Sequence, residues 1–217
     1  MISAIGGAED KAGEVLLRRL VLAYAPGLSL DNVIVTGGSG KLQPKIGNFA
    51  KVSQRMPVIV FTDLDRKHCA PGLIADWRKG VTFDTPNLVI RVAVQEAETW
   101  MIADAEGVSS LLGRPSLAVP AQVDDINDPK EWLLRAGTHS ARSFRQRFTR
   151  VERNRLLQGV EYNSILESFV LEDWNPEAAR ERSESLDRAV KAIRTLNARL
   201  GGPPPRSGPS RYPGEHD

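Results

Sequence analysis

The run from Val58 to Asp65 constrains the fold of this chain more than any other segment, because a strongly apolar stretch ends there in two carboxylates. Continuous apolar runs of this kind are typical of strands that are buried on both faces of a parallel sheet. Residues i and i+2 of a strand point the same way. We therefore expect Asp63 and Asp65 to stand side by side at the carboxyl end of a central strand, the edge at which open α/β sheets bind ligands.

Strands alternate with helices through the first 104 residues. Besides the strand that begins at Val58, apolar runs predict strands near Met1–Ile5, Asn32–Thr36 and Asn87–Val94, and Gly6–Asp10 is predicted to form a turn after the first of them. The intervening segments have helical periodicity. This alternation predicts right-handed βαβ units and therefore a parallel sheet flanked by helices.

The remainder of the chain has mostly helical periodicity. We predict an α/β domain at residues 1–104, a helical appendage packed on it at residues 105–200, and a disordered tail at residues 201–217, which is rich in Pro, Gly and Ser. The last long helix of the appendage carries the apolar stripe Leu186, Val190, Ile193, Leu196 and Leu200. We expect this stripe to pack against the α/β domain.

The composition is that of an ordinary soluble globular protein, with 41% hydrophobic and 26% charged residues. A net charge of only +2 means that any signal for nucleic-acid binding must be local. The single cysteine, Cys69, excludes an internal disulfide and a cysteine-based zinc site. No stretch approaches the about 18 apolar residues of a membrane span, and no signal-peptide pattern opens the chain. We therefore expect a cytoplasmic protein that is not associated with a membrane.

Carboxylates follow three of the four predicted strands. Glu9 comes after the first strand, Asp63 and Asp65 end the third, and Glu96 and Glu98 follow the fourth. Because the carboxyl ends of parallel strands meet at one edge of a sheet, these acids are predicted to converge on a site for one or two hard cations, Mg²⁺ or Mn²⁺. Such ions activate water and stabilise the leaving oxygen in phosphodiester chemistry. An alternative interpretation for the glutamates is that they stabilise the first turns of helices through the helix dipole.

Basic residues supply candidate contacts to phosphate. The loop from Gly37 to Lys41 is glycine-rich but lacks the spacing of a P-loop, which favours a flexible loop with weak affinity for anions. The segment from Arg135 to Arg155 contains seven arginines and a single acid, Glu152. Such a segment can neutralise phosphates, and a solvated helix face or a docking surface for an acidic partner explains it equally well. The candidate phosphate contacts are Lys41, Lys130, Arg142 and Arg145.

Several segments together carry a resemblance to a known family. They are Glu9-Asp10 before Val15–Leu20, Thr62–Asp65 with Cys69–Pro71, Arg91–Trp100, Asp128–Lys130, Tyr162-Asn163 and Ser183–Ala189. Over the first hundred or so residues, the chain resembles a TOPRIM domain in the order of its elements. That order is a strand, Glu and a helix, then a strand and a helix, then a strand, Asp-x-Asp and a helix, then a strand and an acid. This fold is shared by topoisomerases, bacterial primases and OLD-type nucleases. Over most of its length, the chain resembles a bacterial group of TOPRIM-like proteins of unknown function.

The resemblance implies roles for the acids. Glu9 would be the general acid/base glutamate, Asp63 and Asp65 would hold Mg²⁺, and Glu96 or Glu98 would complete the metal shell. In a TOPRIM domain a glycine normally follows that glutamate directly, whereas Asp10 follows Glu9 in this chain. The implied activity is that of a metal-dependent nuclease or another phosphodiester-acting enzyme.

The resemblance also leaves a second interpretation open. OLD-type nucleases carry an ATPase together with their TOPRIM domain, and we recognise no ATPase in this sequence. The chain would then be a module that works with a separate ATPase partner, in phage defence for example, and that is non-catalytic or active only with that partner.

The Asp63-Leu64-Asp65 motif is also compatible with the nucleophile motif of haloacid-dehalogenase phosphatases. That motif normally has Thr or Val two residues after its second Asp, and Lys67 occupies this position, which disfavours the interpretation. His68 and Cys69 follow the acids without a second His or Cys nearby. We therefore predict that both have structural roles.

Overall fold

The structure, a computed structural model, describes residues 1–65 and 69–205. Its centre is a four-stranded parallel sheet in the order β2-β1-β3-β4. The strands are β1 (Ile2–Ala8), β2 (Leu28–Val35), β3 (Val58–Asp63) and β4 (Leu88–Ala93). The predicted parallel α/β sheet flanked by helices is therefore confirmed. The predictions for Lys67, for His68 and for the tail beyond Pro205 lie outside the described residues.

Helices cover both faces of the sheet, and a hairpin of strands β5 (Thr149–Glu152) and β6 (Arg155–Gln158) interrupts the later helices. A π-turn spans Phe169–Asp173, and single 3₁₀ turns span Gln43–Lys45 and Val123–Asp125. The helices are α1 (Lys11–Tyr24), α2 (Ser39–Leu42), α3 (Ile46–Val52), α4 (Ala70–Trp77), α5 (Ala97–Ala103), α6 (Ala105–Leu111), α7 (Pro129–Gly137), α8 (Arg142–Phe148), α9 (Tyr162–Ser168), α10 (Pro176–Arg180) and α11 (Glu184–Arg199).

Strand β3 is buried on both faces, which explains its continuous apolar sequence. Ile59 and Phe61 face the core that contains α1, α5 and α11, whereas Val58 and Val60 face the core that contains α3 and α4. Burying each such side chain contributes about 1.5–3 kcal/mol. The order of strands along the sheet reverses between β1 and β3. The carboxyl ends of these two central strands therefore form a topological switch point, where α/β sheets bind ligands.

The chain beyond residue 104 packs on the α1 face of the sheet. Leu186, Val190, Ile193 and Leu196 of α11 are fully buried, and α11 lies against α1 and β4. The β5–β6 hairpin belongs to this segment, which the sequence predicts to be helical. Within residues 1–65 and 69–205, no helix combines the length and the apolar character that crossing a bilayer would require.

Two glycines that are predicted to form a turn lie inside β1 instead. A Cβ atom at Gly6 would come within 2.8 Å of Cδ2 of Leu17 and Cγ2 of Val33, and one at Gly7 within 2.9 Å of Cζ of Phe49. The glycines therefore permit the close approach of flanking side chains to the strand. As a result, β1 runs on to Ala8, and Glu9 is the first residue beyond it.

We expect Gly6→Ala to destabilise the fold by about 1–3 kcal/mol, the usual cost of overpacking a core. Val33 is β-branched and cannot move aside easily. Gly47→Ala, in helix α3, is the matched control, because a Cβ there meets nothing within 4 Å. The control is expected to be neutral or stabilising by up to about 1 kcal/mol. Urea unfolding of both variants measures the two changes, and equal stabilities would contradict the packing role of Gly6.

Candidate functional site

Glu9 joins the ends of the two central strands. Its side chain is only 9% exposed, and its Oε1 accepts a hydrogen bond from the backbone N–H of Asp63 at 3.0 Å and another from the Thr62 hydroxyl. Burial raises the pKa of Glu9, and the charges of Asp65 and Asp10 add to this, against the lowering effect of the two hydrogen bonds. Glu9 therefore bridges β1 and β3 at the switch point.

Asp10 is a member of the site that the sequence interpretation did not include. It is the N-cap of α1, and its Oδ1 accepts a hydrogen bond from the N–H of Gly13 at 3.0 Å. The charge of Asp10 also raises the pKa values of Glu9, Asp63 and Glu98. The available signals in the sequence were its place next to Glu9 and its capping position, and the second of these favours a purely structural role.

Asp63 and Asp65 both line a cavity of about 350 Å³, whose wall also includes Ser39, Gly40 and Trp77. Only Asp63 belongs to β3. Asp65 lies in a turn with φ of +51°, and its N–H donates to the carbonyl of Gln95 at 2.9 Å. The predicted arrangement of the pair on one face of a strand is therefore wrong, because the chain turns immediately after Asp63. The turn nevertheless brings both carboxylates to one cavity.

The pKa of Asp63 is affected by four other acids of the site. Its pKa lies well above the usual range, first because the carboxyl is buried and then because of the negative charges of Glu98, Glu9, Asp10 and Asp65. These charges come from the ends of β1 and β3 and from the start of α5. The structure thus brings acids that follow the first, third and fourth strands close enough for their charges to act on Asp63.

Glu98 is the most deeply buried of the candidate site acids, with 2% of its surface exposed. Its Oε1 accepts a hydrogen bond from the Tyr162 hydroxyl at 3.2 Å and lies 3.5 Å from Nζ of Lys130. In the described part of the chain, its Oε2 is buried without a hydrogen-bond partner. Burial raises the pKa of Glu98, although the Lys130 charge opposes the rise. Leaving such an acceptor unpaired costs about 1–3 kcal/mol or more.

Glu96 and Lys130 connect the site to helix α7. The Oε2 of Glu96 accepts a hydrogen bond from the backbone N–H of Lys130 at 3.1 Å, so Glu96 supports the first turn of α7 rather than that of α5. Burial alone would lower the pKa of Lys130, but the charges of Glu98 and Glu96 reverse this and raise it. The ammonium group that the sequence suggests as a phosphate contact is thus a countercharge to these acids.

Tyr162 is a second residue that the analysis of candidate site residues missed. Its hydroxyl reaches Glu98, its ring packs on Phe148 at 4.8 Å between centroids, and burial together with the Glu98 charge raises its pKa. No spacing in the sequence connects it with the acids. The available signal was its presence in one of the segments that carry the family resemblance.

The other basic candidates lie farther from the acids. Lys41 is exposed and follows Ser39 and Gly40, which line the cavity. Arg142 and Arg145 are exposed on α8, and the NH1 group of Arg145 donates to the carbonyl of Thr138 at 3.3 Å. Neither arginine forms an ion pair with an acid of the site within the described residues. The structure does not bring these two arginines to the acids.

We call the six carboxylates the acid cluster: Glu9, Asp10, Asp63, Asp65, Glu96 and Glu98. As the side chains stand, no three acidic, histidine or cysteine side chains of the described residues are arranged to hold one metal ion. Hydrogen bonds to Thr62, Asp63, Tyr162 and the Lys130 backbone engage the three glutamates. Sharing one ion among three of the acids therefore requires side-chain rotations.

Asp63→Asn is expected to stabilise the metal-free protein. A carboxyl whose pKa is raised by folding binds its proton more tightly in the folded state, so its ionisation lowers the free energy of unfolding as the pH rises from about 4 towards the raised value. At pH 7 the variant should melt about 2–4 °C above the wild type, the shift that about 1 kcal/mol produces in a chain of this length. The difference should shrink as the pH falls to about 4.

Asp84→Asn is the matched control for this measurement. Asp84 is exposed and precedes the amino end of β4, at the opposite edge of the sheet. The Asp84→Asn variant should therefore have the melting temperature of the wild type. Thermal melting in EDTA across this pH range measures all three proteins. An Asp63→Asn variant that melts below the wild type at every pH would show that the carboxylate stabilises the fold.

Comparisons with known proteins add little to this geometry. No protein-family model matches the chain, and no curated protein matches it. Among solved structures, the chain is similar to the C-terminal region of the Burkholderia pseudomallei OLD protein, with 16% sequence identity and a TM-score of 0.46 over 89% of this chain and 98% of that one. A likeness at this level establishes neither a family nor an activity.

Proposed function

We propose that this chain is a Mg²⁺-dependent enzyme that cleaves phosphodiester bonds in nucleic acid. One observation carries the proposal: acids from β1, β3 and α5 converge at the switch point of a parallel sheet, and burial raises the pKa values of three of them, Glu9, Asp63 and Glu98. Perturbed acids at such an edge are typical of functional sites. The motif order in the sequence supports a TOPRIM-like identity for the α/β part.

The donor set suits a hard divalent cation. Carboxylate oxygens are the ligands that Mg²⁺ and Mn²⁺ prefer, and a cation would relieve the repulsion that, together with burial, raises the pKa of Asp63. The buried Oε2 of Glu98, which lacks a hydrogen-bond partner in the described part of the chain, is a further free acceptor. Asp63 and Asp65 would hold the ion, and Glu98 or Glu96 would complete its shell. A bound divalent ion polarises a phosphoryl oxygen and lowers the pKa of a water ligand.

Glu9 would handle the proton. A general acid or base works best when its pKa lies near the operating pH, and burial moves the Glu9 pKa in that direction. The hydrogen bonds from the Asp63 N–H and the Thr62 hydroxyl hold Oε1 in place, which fixes the orientation of the carboxylate. Glu9 is also an alternative metal ligand, since it borders Asp63.

Basic residues would orient the substrate. Lys130, one-third exposed, offsets part of the negative charge of the acid cluster, so that a phosphate group can approach it. Lys41 is exposed beside the cavity and is the nearer candidate for a phosphate contact. Arg142 and Arg145 would contact nucleic acid only at a distance from the acids, where phosphates contribute affinity rather than chemistry.

The first test of the proposal is metal binding. Mg²⁺ or Mn²⁺ should raise the melting temperature of the wild type, because a ligand at a hundred times its dissociation constant stabilises a protein by about 2.7 kcal/mol. The rise should be lost in Asp63→Asn and kept in Asp84→Asn. Equal stabilisation of wild type and Asp63→Asn would place the metal elsewhere.

The second test is cleavage of supercoiled plasmid, single-stranded DNA and RNA in Mg²⁺ or Mn²⁺. Wild type should cleave at least one of these substrates, and Asp63→Asn should be slower by at least about 100-fold. Mutating even a residue that only supports a metal ligand lowers metal affinity or activity by about 10–100-fold. Asp84→Asn is the control and should cleave like the wild type.

Three outcomes of the cleavage assay would contradict the proposal. Full activity of Asp63→Asn, or activity in EDTA, would remove the acid cluster from the chemistry. A wild type that binds metal but cleaves nothing would contradict an autonomous nuclease. It would favour the alternative from the sequence, a module that requires a separate ATPase partner.

A further inference from the structure

A basic groove of about 510 Å³ lies between the edge strand β4 and helix α11, apart from the acid cluster. No residue lines both this groove and the cavities beside the acids. Among the described residues that line it, five are cationic and none is acidic. The five are Arg78, Arg91, Arg188, Lys191 and Arg199. A concave surface of one charge sign attracts counter-ions of the other.

Arg91 provides the main evidence that the groove binds a ligand. Its NH1 group donates to the carbonyl of Ile90 at 3.2 Å, but its Nε is buried and makes no hydrogen bond within the described part of the chain. Burial lowers the pKa of Arg91, and the charge of Arg188 lowers it further. A partly desolvated guanidinium that faces a like charge and leaves a donor unpaired is costly unless an anion binds there.

The part of the chain that the structure describes does not supply that anion. Arg188 pairs with Glu184 and Lys191 pairs with Asp187 along α11. The side chains of Arg188 and Lys191 are 60% and 69% exposed, and ion pairs of such exposed groups contribute little to stability. Arg199 donates to the carbonyl of Pro86. No acid of the described chain forms an ion pair with Arg91. The charge of the groove is therefore only partly balanced.

We propose that this groove is a binding site for phosphate groups, with Arg91 and Arg188 as its central contacts. Guanidinium groups bind phosphate through parallel N–H···O bonds, which would satisfy the free Nε of Arg91. The phosphate would belong either to a small free compound or to the backbone of a nucleic acid, and the chemistry of the contact is the same in both cases. This proposal does not depend on catalysis at the acid cluster.

The test uses the full chain carrying Asp63→Asn, in EDTA, so that metal binding and cleavage do not contribute. In this background we compare Arg91→Met/Arg188→Gln with Lys51→Gln/Arg55→Gln. The control pair also removes two positive charges, but from exposed positions in and after α3, on the other face of the sheet. Arg188→Gln alone is a third variant, because its exposed position on α11 poses no risk to folding.

Two probes distinguish the sources of phosphate. Inorganic pyrophosphate in a thermal-shift titration reports a site for a free compound. Fluorescence anisotropy with a labelled 20-mer duplex between 50 and 200 mM salt reports backbone binding. If pyrophosphate stabilises the parent and the control but not the groove variants, the site takes a free phosphate compound.

Weaker duplex binding in the groove variants, by about tenfold for each lost charged hydrogen bond, would assign the site to the nucleic-acid backbone. The slope of log K against log salt should then fall by about 0.9 for each lost phosphate contact. The proposal is overturned if the groove and control variants respond alike to both probes. It is also overturned if an acidic peptide, added to the anisotropy assay as a third probe, is the one ligand whose binding the groove variants lose.

Discussion

The carboxylate of Glu9 holds together the two strand ends on which the site is built. It accepts hydrogen bonds from the Thr62 hydroxyl and from the N–H of Asp63, and it thereby fixes the end of β1 against the end of β3. The strand order reverses between these two strands, so the carboxylate occupies the switch point itself. Two other acids of the cluster adjoin this contact, because Asp63 follows Thr62 and Asp10 follows Glu9. The charge of Glu98, at the start of α5, adds to burial in raising the pKa of Asp63.

Such a concentration of buried negative charge persists because apolar packing surrounds it. Trp100, which is fully buried two residues after Glu98, stacks edge-on against Phe61 at 5.1 Å, and its indole N–H donates to Ser185 of α11. These contacts hold α5 at the sheet edge while repulsion among the acids opposes it. Lys130 offsets part of the charge, and Tyr162 donates to one of the buried oxygens. Favourable packing thus offsets the repulsion among the acids, and the fold is less stable than the same packing would make it without them. This trade of stability is common at functional sites.

The sequence predicted this edge of the sheet because hydrophobic runs and the acids that follow them reflect local structure. The sequence-based predictions failed where contacts between residues distant in sequence determine the structure. The run Val58–Phe61 identifies a buried strand without help from other elements. Gly6 and Gly7 look like a turn in isolation, and only the close approach of Leu17, Val33 and Phe49 explains their place in a strand. Asp65 leaves the strand because its N–H pairs with Gln95, a contact between loops. Tyr162 reaches Glu98 across 64 residues, and no local periodicity encodes such a contact.

Strand β4 borders two regions of opposite charge. Its last residue, Ala93, pairs in register with Asp63 of the acid cluster, while Arg91 lies two residues earlier and lines the basic groove. Under the two proposals above, the acid cluster would hold a phosphate through a bridging cation, whereas the groove would hold one directly. A polyanion that follows this edge of the sheet would therefore meet both kinds of contact, one on each side of the carboxyl end of β4.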